Sequence, residues 1–123
     1  MIDTMKGLTR TGYCADFNEQ QVGREVVVCG WAAKRRDLGS LLFIDLRDRS
    51  GIIQLAFDDA TPHEMMKKAQ SIRSEFVLAA KGILRLRQTV NKKLPTGHIE
   101  LAVTDLRILA RADTPPCEVA DAA

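Results

Sequence analysis

The sequence predicts an all-β fold, a β-barrel of five strands with one helix between the third and the fourth. Three observations predict it. Runs rich in β-branched residues, or alternating between apolar and polar ones, recur in five segments, as half-buried strands require. Short turn-forming stretches separate the first three runs, which makes them a meander. A single segment, residues 61–73, switches to helical spacing instead.

The elements follow in order. REVVVCGWAAKRR (24–36) is β-branched enough for a long first strand, and DLGS (37–40) turns it back. LLFIDLRD (41–48) is the second strand. DRSG (48–51) has the make-up of a tight hairpin, with Gly51 able to take a positive φ. IIQLAF (52–57) is the third strand. In TPHEMMKKAQSIR (61–73), Thr61 stands as N-cap, Pro62 at the first helical position and Glu64 three after the cap. Met65, Met66, Ala69 and Ile72 then share one helical face. EFVLAAKGILRLR (75–87) and HIELAVTDLRILAR (98–111) return to strand character around a polar loop, QTVNKKLPTG (88–97). Residues 1–112 therefore form one domain, and 113–123, with two prolines and no periodicity, read as a linker-like tail.

This order is that of an OB-fold, a small Greek-key barrel that takes oligonucleotides on strands 2–3 and on the loops joining strands 1–2 and 4–5. Residues 37–40 and 88–97 would be those loops. Strand order alone also fits other five-stranded barrels.

Composition narrows the function classes. At 123 residues, 46% hydrophobic and 28% charged, the chain suits one globular domain. The net charge of +2 says little, but no acidic residue occurs from Phe76 to Ile99, a window holding Lys81, Arg85, Arg87, Lys92 and Lys93. A local basic surface is expected there as readily as a plain solvated one. Cys14, Cys29 and Cys117 form no CxxC pair, and His63 and His98 stand at no ligand-like spacing to them, so neither a metal site nor a cofactor is expected in this segment. Reduced thiols and the lack of an apolar leader or spanning run point to the cytoplasm, away from membranes. No nucleophile elbow or phosphate-binding glycine pattern appears.

Alternation then sorts the strand residues. Leu42, Ile44 and Leu46 face inward, which leaves Phe43, Asp45 and Arg47 outside. Ile53, Leu55 and Phe57 point in, and Gln54 out. Ile99, Leu101 and Val103 point in, and His98, Glu100 and Thr104 out. Lys34 and Arg36 share one side of the first strand. A ring, an amide, a carboxylate and two cations are what single-stranded nucleic acid needs: stacking for a base plane, hydrogen bonds for its edge, cations for phosphate. Each residue also has a plainer reading. Phe43 fits equally well as cover for a cross-strand neighbour, and Gln54 as a surface amide. Asp45, Arg47, Asp48 and Arg49 are expected only to pair with one another, Trp31 to belong to the core, and Met65 and Met66 to pack the helix.

The string CGWAAKRRDLGSLLFIDLRDRSGIIQLAF, followed by PTGHIEL, resembles the N-terminal anticodon-binding domain of bacterial aspartyl-tRNA synthetases, from about Tyr13 to the Thr-Pro-Pro near the end. Lysyl- and asparaginyl-tRNA synthetases have related domains without this full string. The resemblance implies that Phe43 stacks on the central anticodon base, that Gln54 bonds its edge, and that Arg36 and Lys34 contact the anticodon backbone or bases. It implies that Glu100 and the loop holding Asn91 read the third base. It also implies that Leu38 lies where the choice between aspartate tRNA alone and aspartate plus asparagine tRNA is made. Lys34 stands where the family often has arginine, and lacks the planar fork for a bidentate contact. The resemblance further implies a tRNA partner and a full-length homodimeric enzyme that uses ATP and Mg2+ in a class II catalytic domain. The 123 residues alone are expected to be non-catalytic and monomeric. A stand-alone single-strand binder, or a scaffold whose outer face meets protein, are the competing expectations.

Overall fold

In the structure, a computed structural model, residues 3–87 and 98–111 are described. The expected strands form as β1 (Glu25–Asp37), β2 (Leu42–Asp48), β3 (Gly51–Phe57), β4 (Phe76–Leu86) and β5 (Ile99–Arg111), with α1 (His63–Gln70) between β3 and β4. They close into a barrel in the order β1-β2-β3-β5-β4. β3 and β5 run parallel and the other neighbours antiparallel, so every strand has a partner on both sides. This is the OB-fold barrel that the strand order implies. The loop 88–97 with Asn91, Lys92 and Lys93, and the tail with Cys117, lie outside the described residues.

The inward rows form one continuous core. Leu42, Ile44, Leu46, Ile53, Leu55 and Phe57 are fully buried, and α1 packs against the same core with Ala69, Ile72 and the partly buried Met65 and Met66. Two glycines let the strands approach. A Cβ on Gly30 would lie 2.3 Å from the Arg47 carbonyl oxygen, and one on Gly82 the same distance from that of Ala102. Register shifts by one residue at Ala33 in β1 and at Thr104 and Leu109 in β5. The second shift moves the inward row from Val103 to Leu106 and Ile108.

Outside the barrel a second apolar cluster joins Val27, Cys29, Val77, Ala79 and Ala110 to Leu8 and Met5 of the N-terminal segment. That segment is tied down by backbone pairing. Asp3 N–H donates to the Ile108 carbonyl, and Thr11 exchanges hydrogen bonds with Val27. It includes two short 3-10 turns, Cys14–Asp16 and Glu19–Gln21, that periodicity did not suggest.

Three expectations change. Thr61 does not cap α1: Pro62 is the N-cap, and the Thr61 hydroxyl accepts from Asp58 N–H at 2.9 Å, closing the turn out of β3. Trp31 belongs to neither core cluster. Val28 and Ala32 are the inward residues there, so Trp31 faces out half-buried, with the Arg47 guanidinium 5.4 Å from its ring centre. Arg47, Asp48 and Arg49 bond residues outside their own charged run rather than one another. Arg47 lies 3.9 Å from Glu75, and Arg49 donates to the Tyr13 hydroxyl. Asp48 is buried and organises the β2–β3 turn. One oxygen accepts from Ser50 N–H, the Ser50 hydroxyl and Gly51 N–H, and the other from Cys14 N–H. Burial pushes the Asp48 carboxyl up, but the bonds from Ser50 and Cys14 outweigh it and hold it below the ordinary value of 3.8.

Candidate nucleic-acid interface

Barrel closure aligns one polar residue from each strand. Lys34 pairs with Asp45, Asp45 with Gln54, Gln54 with Glu100, and Glu100 with Arg85. The next row reads Arg36, Phe43, Ala56, Ala102 and Ile83. Cross-strand partners share a face, so both rows lie on the outer surface.

A cleft of about 540 Å³ opens along these rows, lined by Arg36, Leu38, Leu41, Phe43, Gln54, Asp58, Arg85, Leu86, Arg87 and Glu100. It brings together five of the residues singled out from sequence: Arg36, Leu38, Phe43, Gln54 and Glu100. Lys34 is exposed at the end of the polar row but does not line the cleft. Asn91 lies outside the described residues.

Gln54 and Glu100 leave the core side, as alternation predicts, yet they are only 5% and 6% exposed. Their neighbours cover them. Arg36 Nη2 donates to Gln54 Oε1 at 2.7 Å, and Gln54 Nε2 donates to Glu100 Oε1 at 2.8 Å. Arg85 Nε donates to Glu100 Oε2 at 2.6 Å, and Arg85 Nη1 to Asp58 Oδ2 at 3.1 Å. Buried polar groups are tolerable only when bonded in this way. Burial works against the Arg85 charge, but hydrogen bonds and attraction from Glu100 and then Asp58 raise its pKa, so it stays a cation. The Arg36 guanidinium lies 5.4 Å from the centre of the Phe43 ring, which remains half-exposed.

The rim is apolar. Of the four large hydrophobic residues that are exposed among the described residues, Leu38, Leu41 and Leu86 line this cleft. The β1–β2 loop sets out two of them: Gly39 takes φ +86°, Asp37 Oδ1 accepts its N–H, and Leu38 N–H donates to the Leu41 carbonyl. Such a cleft can stack a planar ring on Phe43, bond its edge at Gln54 and Glu100, and hold phosphate at its cationic margin.

Sequence reasoning did not assign Arg85, Arg87, Leu86, Leu41 or Asp58 to the site. Arg85 and Arg87 carried a signal, the acid-free basic window. Asp58 follows the last β3 residue, and nothing local marks it. Beyond the Asp58–Arg85 pair lies a second, smaller cleft of about 340 Å³ that shares both residues and includes Ala56, Ala102, Thr61 and Thr104.

Known proteins resemble this chain in sequence and in fold. A family model described as an OB-fold nucleic acid binding domain, tRNA_anti-codon, matches residues 26–109. The aspartate–tRNA(Asp/Asn) ligase of Caldanaerobacter subterraneus subsp. tengcongensis is 46% identical over 123 residues, covering 98% of this chain and 21% of the ligase. The aspartate–tRNA ligase of Limosilactobacillus fermentum is 46% identical over 114 residues, 93% of this chain and 19% of the ligase. The chain thus spans about a fifth of the length of the curated relatives it matches. Among solved structures, an aspartyl-tRNA synthetase from Entamoeba histolytica superposes with a TM-score of 0.76 at 20% identity, over 89% of this chain and 23% of that one. OBody AM3L09, bound to hen egg-white lysozyme, superposes with a TM-score of 0.76 at 26% identity, over 85% of this chain and 98% of that one.

Proposed function

This chain belongs to the family of OB-fold nucleic acid binding domains, and from that membership we propose that it reads the anticodon loop of a tRNA as the N-terminal domain of an aspartate–tRNA ligase. The observation that carries the reading is the cleft. It gathers a half-exposed ring, base-edge groups and guanidinium groups in a chain 46% identical to such ligases over nearly its whole length.

Phe43 stacks on the central anticodon base and Gln54 bonds that base's edge. Arg36 and Lys34 meet the backbone or flanking bases, Lys34 as a point charge rather than a fork. Glu100 reads the third base together with the loop of Asn91. Leu38, 63% exposed at the cleft mouth, takes the position that separates aspartate-only from dual aspartate and asparagine specificity. Relatives named for each specificity are equally similar to this chain, at 46% identity.

Residues 1–112 are the recognition domain, and 113–123 lead toward a catalytic domain of class II. The condensation of aspartate with tRNA, with ATP and Mg2+, is the work of that other part. Among the described residues no three or more His, Cys, Asp or Glu side chains converge to hold a metal ion. The whole enzyme acts as a homodimer in the cytoplasm. No helix among the described residues is long and apolar enough to cross a membrane.

The test is a titration of an aspartate-type anticodon hairpin against one with a changed central base. Phe43→Ala costs about 1–3 kcal/mol for the first hairpin, and binding weakens steeply with salt. Equal affinity for the two hairpins identifies a generic single-strand binder instead. The lysozyme-bound OBody is a reason to keep a protein-binding face in view. That reading wins if no hairpin binds and Phe43→Ala changes nothing.

A further inference from the structure

A glutamine amide can read a base edge only if it presents one orientation. Flipped, it exchanges donor for acceptor at the same place. In this cleft both ends of the amide are bonded, and the chain of hydrogen bonds reaches back to Asp58, outside the base-reading groups. Arg36 donates to Gln54 Oε1, which makes that atom the acceptor, and Gln54 Nε2 donates to Glu100 Oε1. Arg85 Nε donates to the other Glu100 oxygen at 2.6 Å and so fixes the plane of the carboxylate. Arg85 is held in turn at 3.1 Å by Asp58 Oδ2. Asp58 is the end of the relay that is fixed to the main chain. Its Oδ1 accepts from Ala60 N–H at 2.9 Å, its own N–H donates to the Thr61 hydroxyl at 2.9 Å, and its carbonyl accepts from Thr61 N–H.

We propose that Asp58, locked by the Thr61 hydroxyl, is a positioning residue for base discrimination: through Arg85 and Glu100 it sets the orientation in which the Gln54 amide meets the base. The inference rests on the anticodon reading above. Two features separate this role from simple stabilisation. The Asp58–Arg85 pair is partly exposed, 28% and 39% by side chain, and such pairs contribute little to folding. Asp58 also stands in the wall shared by the two clefts.

The test measures a ratio of affinities, using the whole chain and the same two hairpins. Asp58→Asn retains the acceptor for Ala60 but places an amide nitrogen where Arg85 needs an acceptor. The preference for the aspartate-type hairpin is expected to fall about 2- to 30-fold, the span of coupling through a contiguous network, with affinity for the changed hairpin falling far less. Thr61→Val acts in the same direction, and Thr61→Ser restores the preference. In a Gln54→Ala background Asp58→Asn has no further effect on the ratio. The Gln54 side-chain amide resonances, which report its bonds without RNA, shift in both Asp58→Asn and Thr61→Val. Discrimination that survives Asp58→Asn, or an equal loss for both hairpins, overturns the assignment while leaving anticodon reading intact. A wild-type chain that does not distinguish the hairpins overturns both.

Discussion

Over β1, β4 and the end of β5, the outward positions of the barrel carry Val27, Cys29, Val77, Ala79 and Ala110, and the N-terminal segment covers them with Leu8 and Met5. Over β2, β3 and the start of β5, the equivalent outward positions carry Phe43, Gln54 and Glu100 and line an open cleft. Both surfaces follow from the same two-residue period. The first removes apolar area from water by folding chain over it, which stabilises at roughly 25 cal/mol per Å². The second buries polar groups against one another, which is close to neutral for stability but leaves them aimed outward. A barrel can thus draw its stability from one outer face and keep the other available for recognition.

The largest expected effect strikes the scaffold that both faces share. Gly82 lies on β4 against β5, and a Cβ there meets the Ala102 carbonyl at 2.3 Å. Gly82→Ala is expected to destabilise the fold by about 3 kcal/mol or more, since backbone must move. A urea midpoint close to wild type would break the account of barrel closure.

Next comes the covered face. Leu8→Ala removes the leucine that seals it and is expected to cost about 2 kcal/mol of stability. Hairpin affinity should stay at the wild-type value wherever the variant is folded. Phe43→Ala should show the reverse pattern, losing affinity with little change in urea midpoint. If Leu8→Ala weakens RNA binding in the folded state, the two faces are coupled and the division drawn here is wrong.

The smallest effect is electrostatic and belongs to the turn between β2 and β3. Asp48→Asn is expected to cost about 1 kcal/mol at neutral pH, because its oxygens satisfy four donors. The Asp48 carboxyl is depressed in the folded state relative to 3.8, so the unfolded chain takes up its proton first as pH falls. Its contribution is therefore fully present above the ordinary carboxylate range and is lost as pH drops through the lower folded value. Urea midpoints measured from pH 7 down to pH 2 should show the gap between wild type and Asp48→Asn closing on the acid side. A gap that widens there would reverse the assigned sign.

Much of the barrel was legible because its signal is local. Alternation placed all five strands to within about a residue and separated Ile44 from Phe43. It failed at Trp31, where an apolar neighbourhood in sequence suggested core: Val27 and Cys29 are buried by the N-terminal segment, not by the barrel interior, and no local pattern distinguishes the two kinds of burial. It failed at Thr61 for a related reason. The capping pattern is real in the sequence, but the turn from β3 competes for the same hydroxyl and takes it.

Local pattern fixes which side of an unbroken strand a residue occupies, since that depends only on the period of an extended chain. It therefore fixes that Phe43, Gln54 and Glu100 leave the core, whereas Arg36 leaves it because the bulge at Ala33 reverses the side set by Val28 and Ala32. Their meeting is a product of barrel closure. Gln54 bonds Glu100 across 46 positions of sequence, and Arg85 bonds Asp58 across 27. Those contacts exist because β5 returns to lie parallel beside β3 and closes the barrel. Alternation is fixed residue by residue. Adjacency across a closed sheet is fixed by the whole chain at once.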